Sequence, residues 1–330
     1  MTYKFLGKTG VKVSAIAYGT MSFGGDADEA GSKALFELCR AAGVNLFDCA
    51  DLYAGGRSEE ILGRLIKDCR EEVLITSKAY FATSKDVNAM GASRRHIQYA
   101  VEASLRRLRT DRIDIYYVHR FDDRTPLEET LRALDDLVGL GKVLYLGASN
   151  FAAWQVAKAL GISAKEGLAP FACIQPMYNL VKRQAEVEIL PLALSEGLGV
   201  FPYSPLGGGL LSGKYGPGRR PEAGRLVTNK IYATRYMDGL NYDVAERFAA
   251  FARERGFDPA GLAVAWVGSH PAVTAPLVGA RNTAQLAPLL AAADIPMTPE
   301  LRAEISALSP EPAPATDRSE ERTGFNFGVR

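Results

Sequence analysis

Three short apolar runs in this 330-residue chain each end in an ionisable residue: Asp48, Lys78 and His119. Such runs are typical of the buried strands of a parallel sheet, whose carboxyl ends open onto one common site. Tyr53 follows Asp48 by five residues and would lie on the adjoining loop. The pattern therefore predicts one site that contains an acid, a phenol, a lysine and an imidazole. On the pattern alone, the Asp48 carboxylate is the first candidate for the centre of its chemistry.

Asp48 and Lys78 would lie at the ends of neighbouring strands. A buried charge is unfavourable unless an opposite charge pairs with it, so these two side chains are expected to neutralise each other. Polar residues at strand ends can also serve only to cap the following helix, but that interpretation explains an ordered set of Asp, Tyr, Lys and His poorly. Further polar residues at the ends of apolar runs are Ser149, Asn150, Gln175, Tyr203 and Ser204.

Strand-like and helix-like segments alternate along most of the chain, after a glycine-containing hairpin pattern at residues 4–14. Strands are predicted at 15–18, 45–48, 73–78, 113–118, 143–148, 171–175, 199–203 and 275–278. Helices are predicted at 28–42, 58–68, 93–108, 125–139, from 152, and at 185–196, 242–255, 259–269, 283–292 and 299–308. Eight β/α units predict an α/β protein folded as a (β/α)8 TIM barrel, with the hairpin capping the barrel bottom. An open doubly wound sheet is the alternative, but residues 19–24 lack the G-x-G-x-x-G order.

The composition limits the class of partner. The formal net charge is +1, so no global field attracts nucleic acid or an anionic membrane surface. No apolar stretch reaches bilayer length, and the N-terminus lacks the apolar core of a signal peptide. The four cysteines are scattered, which is expected of reduced thiols in a cytoplasmic protein. Only three histidines are present, so no metal site is predicted.

A single domain is expected to span residues 1–330, because no linker or change of composition divides the chain. Residues 310–330 are rich in proline and charge and predict a loosely ordered C-terminal tail. Its Phe325 and Phe327 are candidates to fold over the site. The sequence does not predict an oligomer.

Several ordered motifs resemble those of the aldo-keto reductase family over nearly the full chain. The similarity is greatest to the branch that contains potassium-channel β subunits and related bacterial reductases. The resemblance rests on GVNLFDCA at 43–50, Tyr53, GRSEEILG at 56–63, the strand ending at Lys78, DIYYVH at 114–119, LGASN at 146–150 and YSPLGGGLLSGKY at 203–215.

The resemblance implies a catalytic tetrad of Asp48, Tyr53, Lys78 and His119. Tyr53 would donate the proton that a carbonyl oxygen needs when its carbon accepts a hydride. Because a free tyrosine has a pKa of about 10, the charge of Lys78 is expected to lower the pKa of Tyr53. Asp48 would hold Lys78, and His119 would orient the substrate oxygen.

The resemblance also implies a nicotinamide cofactor. The residues expected to contact it are Gly19, Thr20, Met21, Asp48, Ser149, Asn150, Gln175, Tyr203, Ser204, Pro205, Leu206, Gly208, Lys214, Gly279, Arg281 and Gln285. Arg281, near the start of the last helix of the barrel, is suited to a 2′-phosphate, which favours NADP(H) over NAD(H). The acid–Asn pair common in the family is replaced here by Pro288 and Leu289, so weaker adenine contacts are expected.

The implied reaction is the NADPH-dependent reduction of an aldehyde or ketone to an alcohol. The small-molecule substrate is expected to meet Phe23, Tyr80, Phe81, Arg120, Phe121 and Tyr178. Arg120, next to His119, favours a polar or sugar-like carbonyl. Two alternatives stay open: an NAD(P)+-dependent dehydrogenase of a sugar or pyridoxal-type alcohol, and a cofactor-sensing binding protein like the channel β subunits.

Overall fold

The computed structural model of the chain describes residues 1–318, 320, 323 and 324. Its centre is an eight-stranded parallel sheet in which the strands follow chain order and the last strand pairs with the first. The backbone nitrogens of Thr274 and Leu277 donate to the carbonyl oxygens of Val200 and Pro202, each at 2.9 Å, and close the sheet into a barrel. The predicted (β/α)8 barrel is confirmed.

A separate hairpin precedes the barrel strands. The hairpin consists of β1 (Tyr3–Phe5) and β2 (Lys12–Ser14). The barrel strands are β3 (Ala17–Gly19), β4 (Leu46–Asp48), β5 (Leu74–Ala79), β6 (Ile113–Val118), β7 (Val143–Ser149), β8 (Phe171–Gln175), β9 (Gly199–Val200) and β10 (Leu277–Val278).

Helices surround the barrel and follow the predicted alternation. Up to β9 they are α1 (Glu29–Ala41), α2 (Arg57–Leu65), α3 (Arg94–Leu108), α4 (Leu127–Gly139), α5 (Ala153–Glu166) and α6 (Ile189–Glu196). Beyond β9 they are α7 (Arg225–Thr228), α8 (Lys230–Arg235), α9 (Gly239–Glu254), α10 (Pro259–Gly268), α11 (Thr283–Ala291) and α12 (Pro299–Ser306). Within the described residues, none of these helices has the length and apolar character that crossing a bilayer requires.

The strands are mostly apolar because both of their faces are covered. All six residues of β6 are buried, and so are five of the six residues of β5. One face packs against the surrounding helices. The other fills the barrel with a separate cluster that includes Leu46, Ile115, Tyr117 and Phe201. Lys78 is a charged exception in this apolar setting, and it lies near the end of the barrel where β5 terminates.

The hairpin covers the opposite end of the barrel. Leu6 is fully buried with the barrel-filling cluster, and Lys4 Nζ donates to the carbonyl oxygen of Val273 at 2.9 Å. A Cβ added at Gly7 would meet the backbone of Gly199 at 2.8 Å, so the turn lies directly against the start of β9. The predicted placement of the hairpin at the barrel bottom is confirmed.

Side-chain caps explain where several helices begin. Asp28, Ser93 and Asp258 accept backbone N–H groups at the starts of α1, α3 and α10, which satisfies donors that the helix itself leaves unpaired. Helix α4 differs slightly from expectation, because Pro126 precedes it in an extended conformation and the first helical residue is Leu127.

Gly147 in β7 offers a test of the packing inside the barrel. A Cβ there would overlap the ring of the fully buried Tyr117 and would lie 3.1 Å from Cys173 Sγ. We expect Gly147→Ala to lower the free energy of unfolding by roughly 1–3 kcal/mol, as overpacking of a filled core does. The midpoint of urea unfolding measures this. Gly139→Ala is the control, because nothing lies within 4 Å of its Cβ position; equal midpoints for the two variants would contradict the packing described.

Candidate active site

A buried ion pair lies where β4 and β5 end. Lys78 Nζ donates to Asp48 Oδ2 at 2.6 Å, and the two residues are 0% and 3% exposed. The other carboxylate oxygen accepts from Thr76 Oγ1 at 2.7 Å and from Gln175 Nε2 at 2.8 Å. With hydrogen bonds on both oxygens and a cation alongside, the Asp48 carboxylate meets the conditions under which a buried charge persists. The pairing predicted from the strand ends is present.

Tyr53 lies next to this ion pair. Lys78 Nζ is 3.4 Å from the Tyr53 hydroxyl and 2.7 Å from the carbonyl oxygen of Cys49. The tyrosine begins a short turn after β4 in which Ala54 has a φ of 49° and Gly56 a φ of 93°. A left-handed conformation is unfavourable for alanine, so this turn is locally strained where it carries the phenol into the site.

His119 follows β6 and faces Tyr53. Its ring lies edge-on to the rings of Tyr53 and Phe81, with centroid distances of 6.3 and 5.0 Å. Its Nδ1 is buried and has no hydrogen-bond partner among the described residues. Burial, with the charge of Lys78, lowers the pKa of His119 to about 3, so the imidazole is neutral at neutral pH.

The phenol and the lysine also keep their protons at neutral pH. Burial raises the pKa of Tyr53 to about 12, and the charge of Lys78 opposes that rise without overcoming it. Lys78 acts in the predicted direction, but burial has the larger effect on the Tyr53 pKa. For Lys78 itself, burial disfavours the charge, but Asp48, Tyr53 and Cys49 together more than offset this and raise the lysine pKa. The site therefore holds a protonated phenol beside a permanent cation.

These groups lie at one side of a cavity of about 770 Å³ at the carboxyl ends of the strands. Ligand sites of (β/α)8 barrels occur at this face. The predicted site residues that line it are Gly19, Met21, Asp48, Tyr53, Phe81, His119, Arg120, Ser149, Asn150, Gln175, Tyr203, Ser204, Pro205, Leu206, Gly208, Lys214, Gly279, Arg281 and Gln285.

Two predicted substrate contacts lie in the core instead of at the cavity wall. Phe23 is fully buried with its ring 5.7 Å from that of Tyr18. Tyr178 is also fully buried, 5.2 Å from the ring of Trp266, and its hydroxyl donates to Glu186 Oε1 at 2.5 Å. A substrate role for these two aromatic residues has no support in the geometry.

Three more predicted residues lie just outside the cavity lining. Phe121 packs edge-on against Phe151 at 5.3 Å, and Tyr80 packs against Phe81 at the same distance. Thr20 Oγ1 donates to the carbonyl oxygen of Asp48 at 3.1 Å, so it supports the tetrad instead of facing the cavity. Phe325 and Phe327, the candidates in the tail, lie outside the described residues.

Asn150 links the backbone of His119 to the aromatic wall of the cavity. Its Nδ2 donates to the carbonyl oxygen of His119 at 3.0 Å, and its Oδ1 accepts from the Tyr203 hydroxyl at 2.6 Å. These two hydrogen bonds hold the side-chain amide of Asn150 and the ring of Tyr203 in one orientation. Gln175, predicted to meet the nicotinamide, lines the cavity and donates from its Nε2 to Asp48 as described above.

The chain also matches a known protein family. The family model described as "Aldo/keto reductase family" matches residues 15–310. The chain belongs to the aldo/keto reductase family. The resemblance read from its motifs is confirmed, and an oxidoreductase of carbonyl compounds is the class of activity that the membership supports.

Individual relatives of this aldo/keto reductase carry different names. A "Probable voltage-gated potassium channel subunit beta" from Oryza sativa subsp. japonica is 38% identical over 93% of this chain and 96% of the relative. The "Uncharacterized oxidoreductase YrpG" of Bacillus subtilis is 35% identical over 96% of this chain and 98% of its own. The "Versiconal hemiacetal acetate reductase" of Aspergillus parasiticus is 33% identical over 91% of this chain and 94% of the relative.

The aldo/keto reductase cavity also contains residues that sequence reasoning did not single out. Arg225, Tyr232 and Arg235 line it from α7 and α8, within a segment of roughly 204–240 that is rich in glycine, arginine and proline and shows little periodicity. The Tyr232 hydroxyl lies 3.9 Å from Met21 Sδ, so this segment reaches the loop after β3. The repeated arginines of a glycine-rich segment were a signal for this site, but nothing in their spacing specifies which of them face a ligand.

Proposed function

We propose that the protein reduces an aldehyde or ketone to an alcohol with NADPH, using Tyr53 as the general acid. The observation that carries the proposal is the Tyr53 hydroxyl 3.4 Å from Lys78 Nζ, beside a neutral His119 at the wall of a large cavity. A protonated phenol, a fixed cation and an uncharged imidazole are the groups that protonation of a carbonyl oxygen requires.

Each residue of the tetrad has a distinct part in this reaction. The bound nicotinamide would supply a hydride to the carbonyl carbon. Tyr53 gives its proton to the carbonyl oxygen, and Lys78 stabilises the tyrosinate that remains. Asp48, held by Thr76, keeps Lys78 charged and in place. The neutral His119 donates one hydrogen bond to the substrate oxygen without adding a charge.

The chemistry of the cavity walls supports a phosphate-bearing cofactor. Gly208 lines the cavity with a φ of 69°, and a Cβ there would lie 2.9 Å from the Tyr232 ring, so at this position the chain after β9 presents only backbone to a ligand. Lys214 and Arg281 line the same part of the cavity, and the charge of Arg281 contributes to a lowered Lys214 pKa after the larger effect of burial. Two cations this close are favourable when an anion lies between them.

Arg281 is proposed to bind the 2′-phosphate of NADPH. Its Nε lies 3.3 Å from Asp26 Oδ2, so a phosphate would have to replace or join this partner. We expect Arg281→Ala to raise the KM for NADPH by roughly 10- to 100-fold, the value of one arginine–phosphate contact, with a much smaller effect on NADH. Steady-state kinetics with each cofactor measure this. Arg95→Ala, a change at an exposed position on α3, is the control and should leave both KM values unchanged. Equal effects of Arg281→Ala on the KM values for both cofactors would contradict the assignment of Arg281 to the 2′-phosphate.

A cofactor-sensing role is the second candidate, and the names of the channel-subunit relatives favour it. The tetrad is compatible with either role, because a slow single reduction uses the same groups. The discriminating measurement is the number of turnovers per protein molecule, with NADPH absorbance followed in excess aldehyde. Many rapid turnovers support the enzyme, whereas one slow turnover with tightly held cofactor supports the sensor.

The test of the proposed function is a panel of aldehydes and ketones assayed with NADPH and NADH, together with the matching alcohols and oxidised cofactors. We expect kcat/KM to be highest for carbonyl reduction with NADPH. A preference for alcohol oxidation would favour the dehydrogenase alternative instead. No turnover in either direction would contradict a catalytic function.

A further inference from the structure

The charges that line the cavity are strongly unbalanced. Five cations line it: Arg120, Lys214, Arg225, Arg235 and Arg281. Among the described lining residues Asp48 is the one acid, and Lys78 already neutralises it. The net positive charge of the cavity therefore attracts anions, and the tetrad does not account for this charge.

Three of these cations form one group. Asp26 Oδ2 lies 3.3 Å from Arg281 and 4.0 Å from Arg225, and Lys214 is near enough to Arg281 for their charges to interact. This group lies beside the glycines after β9. It is the group that the phosphates of the proposed cofactor would use, so it does not explain the two remaining arginines.

Arg120 is the first of the remaining two. It directly follows His119, lines the cavity and is exposed to it. No acidic side chain in the described part of the chain pairs with its guanidinium. An arginine that adjoins the catalytic histidine, and that no acidic side chain of the described residues pairs with, is available to a substrate.

Arg235 lies near the same end of the cavity. Its guanidinium is 4.9 Å from the centroid of the Tyr232 ring, which orients it, and no described acid pairs with it. Burial raises the pKa of Tyr203, and the nearby charge of Arg235 opposes that rise. The Tyr203 hydroxyl is hydrogen-bonded to Asn150, and Asn150 to the backbone carbonyl of His119, so the proximity of Arg235 to Tyr203 places this arginine on the tetrad side of the cavity.

We propose that the substrate is a carbonyl compound that bears an anionic group, a carboxylate or a phosphate, and that Arg120 and Arg235 bind this group. The proposal rests on the proposed carbonyl reduction and specifies its substrate class. A guanidinium presents a planar fork of donors that matches both anions, and it stays charged at any working pH. The neutral His119 and Tyr53 bind the carbonyl oxygen, so the two functional groups of the substrate are recognised by different residues.

The test compares matched pairs of aldehydes. One pair is 4-carboxybenzaldehyde and its neutral methyl ester, and the other is glyceraldehyde 3-phosphate and glyceraldehyde. We expect kcat/KM for the better anionic member to exceed that of its neutral partner by roughly 10- to 100-fold, as one charged hydrogen-bonded contact would give. Which pair shows the larger ratio distinguishes a carboxylate from a phosphate.

Variants connect that preference to the two arginines. Arg120→Gln and Arg235→Gln should each reduce the anionic preference by at least about tenfold, mainly through KM. Arg124→Gln, an exposed arginine on the same loop as Arg120, is the control and should leave the preference unchanged. Neutral aldehydes reduced as well as anionic ones by the unmodified protein would overturn the proposal while leaving carbonyl reduction in place.

A binding measurement separates this proposal from the reaction itself. Calorimetric titration of the NADP+-loaded protein with 4-carbamoylbenzoate, which cannot be reduced, reports the anion site without turnover. We expect binding that Arg120→Gln weakens and that the neutral methyl ester does not reproduce. Binding without any turnover would retain the anion site and reject the proposed reductase, whereas absence of binding would reject the anion site.

Discussion

We expect Tyr53→Phe to lower kcat for carbonyl reduction by roughly 10²- to 10⁴-fold, the contribution of a positioned general acid. The substitution removes only the hydroxyl that lies 3.4 Å from Lys78 Nζ and keeps the ring that packs edge-on against His119. Affinity for NADPH should therefore be almost unchanged. Steady-state assays measure kcat, and titration of NADPH fluorescence measures the affinity.

The pH dependence gives the Tyr53 prediction a second readout. The pKa of Tyr53 is raised to about 12, so the phenol remains protonated below that pH, and reduction should not lose its acid between pH 6 and 9. Oxidation of the alcohol needs the tyrosinate and should become faster as the pH rises. Tyr99→Phe, on the exposed face of α3, is the matched control. Substantial kcat in Tyr53→Phe, with the control unaffected, would exclude Tyr53 as the acid.

Lys78→Met is expected to have the largest effect on stability and to abolish turnover. It leaves the Asp48 carboxylate buried at 3% exposure without its cation, and breaking a buried pair in this way costs about 3–5 kcal/mol. Turnover should disappear as well, because no cation remains to stabilise the tyrosinate. Urea unfolding measures the free energy, and the assay used for Tyr53→Phe measures the rate.

Two further variants make the Lys78 prediction specific. Lys33→Met removes a lysine from an ion pair with Glu37 in which both side chains are 63% exposed, and it should cost less than about 1 kcal/mol. The double change Lys78→Met with Asp48→Asn removes both buried charges and should regain much of the stability but none of the activity. A double variant as unstable as Lys78→Met alone would show that lost packing, not an unpaired charge, is responsible.

Local sequence patterns were sufficient to predict the architecture. Each barrel strand is a short and mostly apolar run because both of its faces are covered, and several of these runs end in a polar residue that the parallel arrangement brings to one rim. Caps such as Asp28 and Ser93 lie within a residue or so of the predicted helix starts. These signals depend on neighbours in the chain, so the sequence carries them directly.

The side chains around the tetrad were much harder to predict. Phe23 and Tyr178 follow strand-like runs as His119 does, yet both are fully buried in the core. Whether an aromatic residue beyond a strand faces the cavity or the core depends on the course of its loop and on what packs against it. Tyr178 is held by Trp266, a residue far away in the chain, and sequence spacing contains no information on such a contact.

The sequence by itself determined the order of strands and helices, the barrel and the residue types that meet at its rim. The tertiary structure alone decided how Gln175 and Thr76 hold Asp48, and which arginines of the segment after β9 line the cavity. It also showed that burial outweighs Lys78 in setting the protonation of Tyr53. The physical reason is that strand order follows from short-range periodicity, whereas hydrogen bonds, desolvation and uncompensated charge depend on distances between residues remote in the chain.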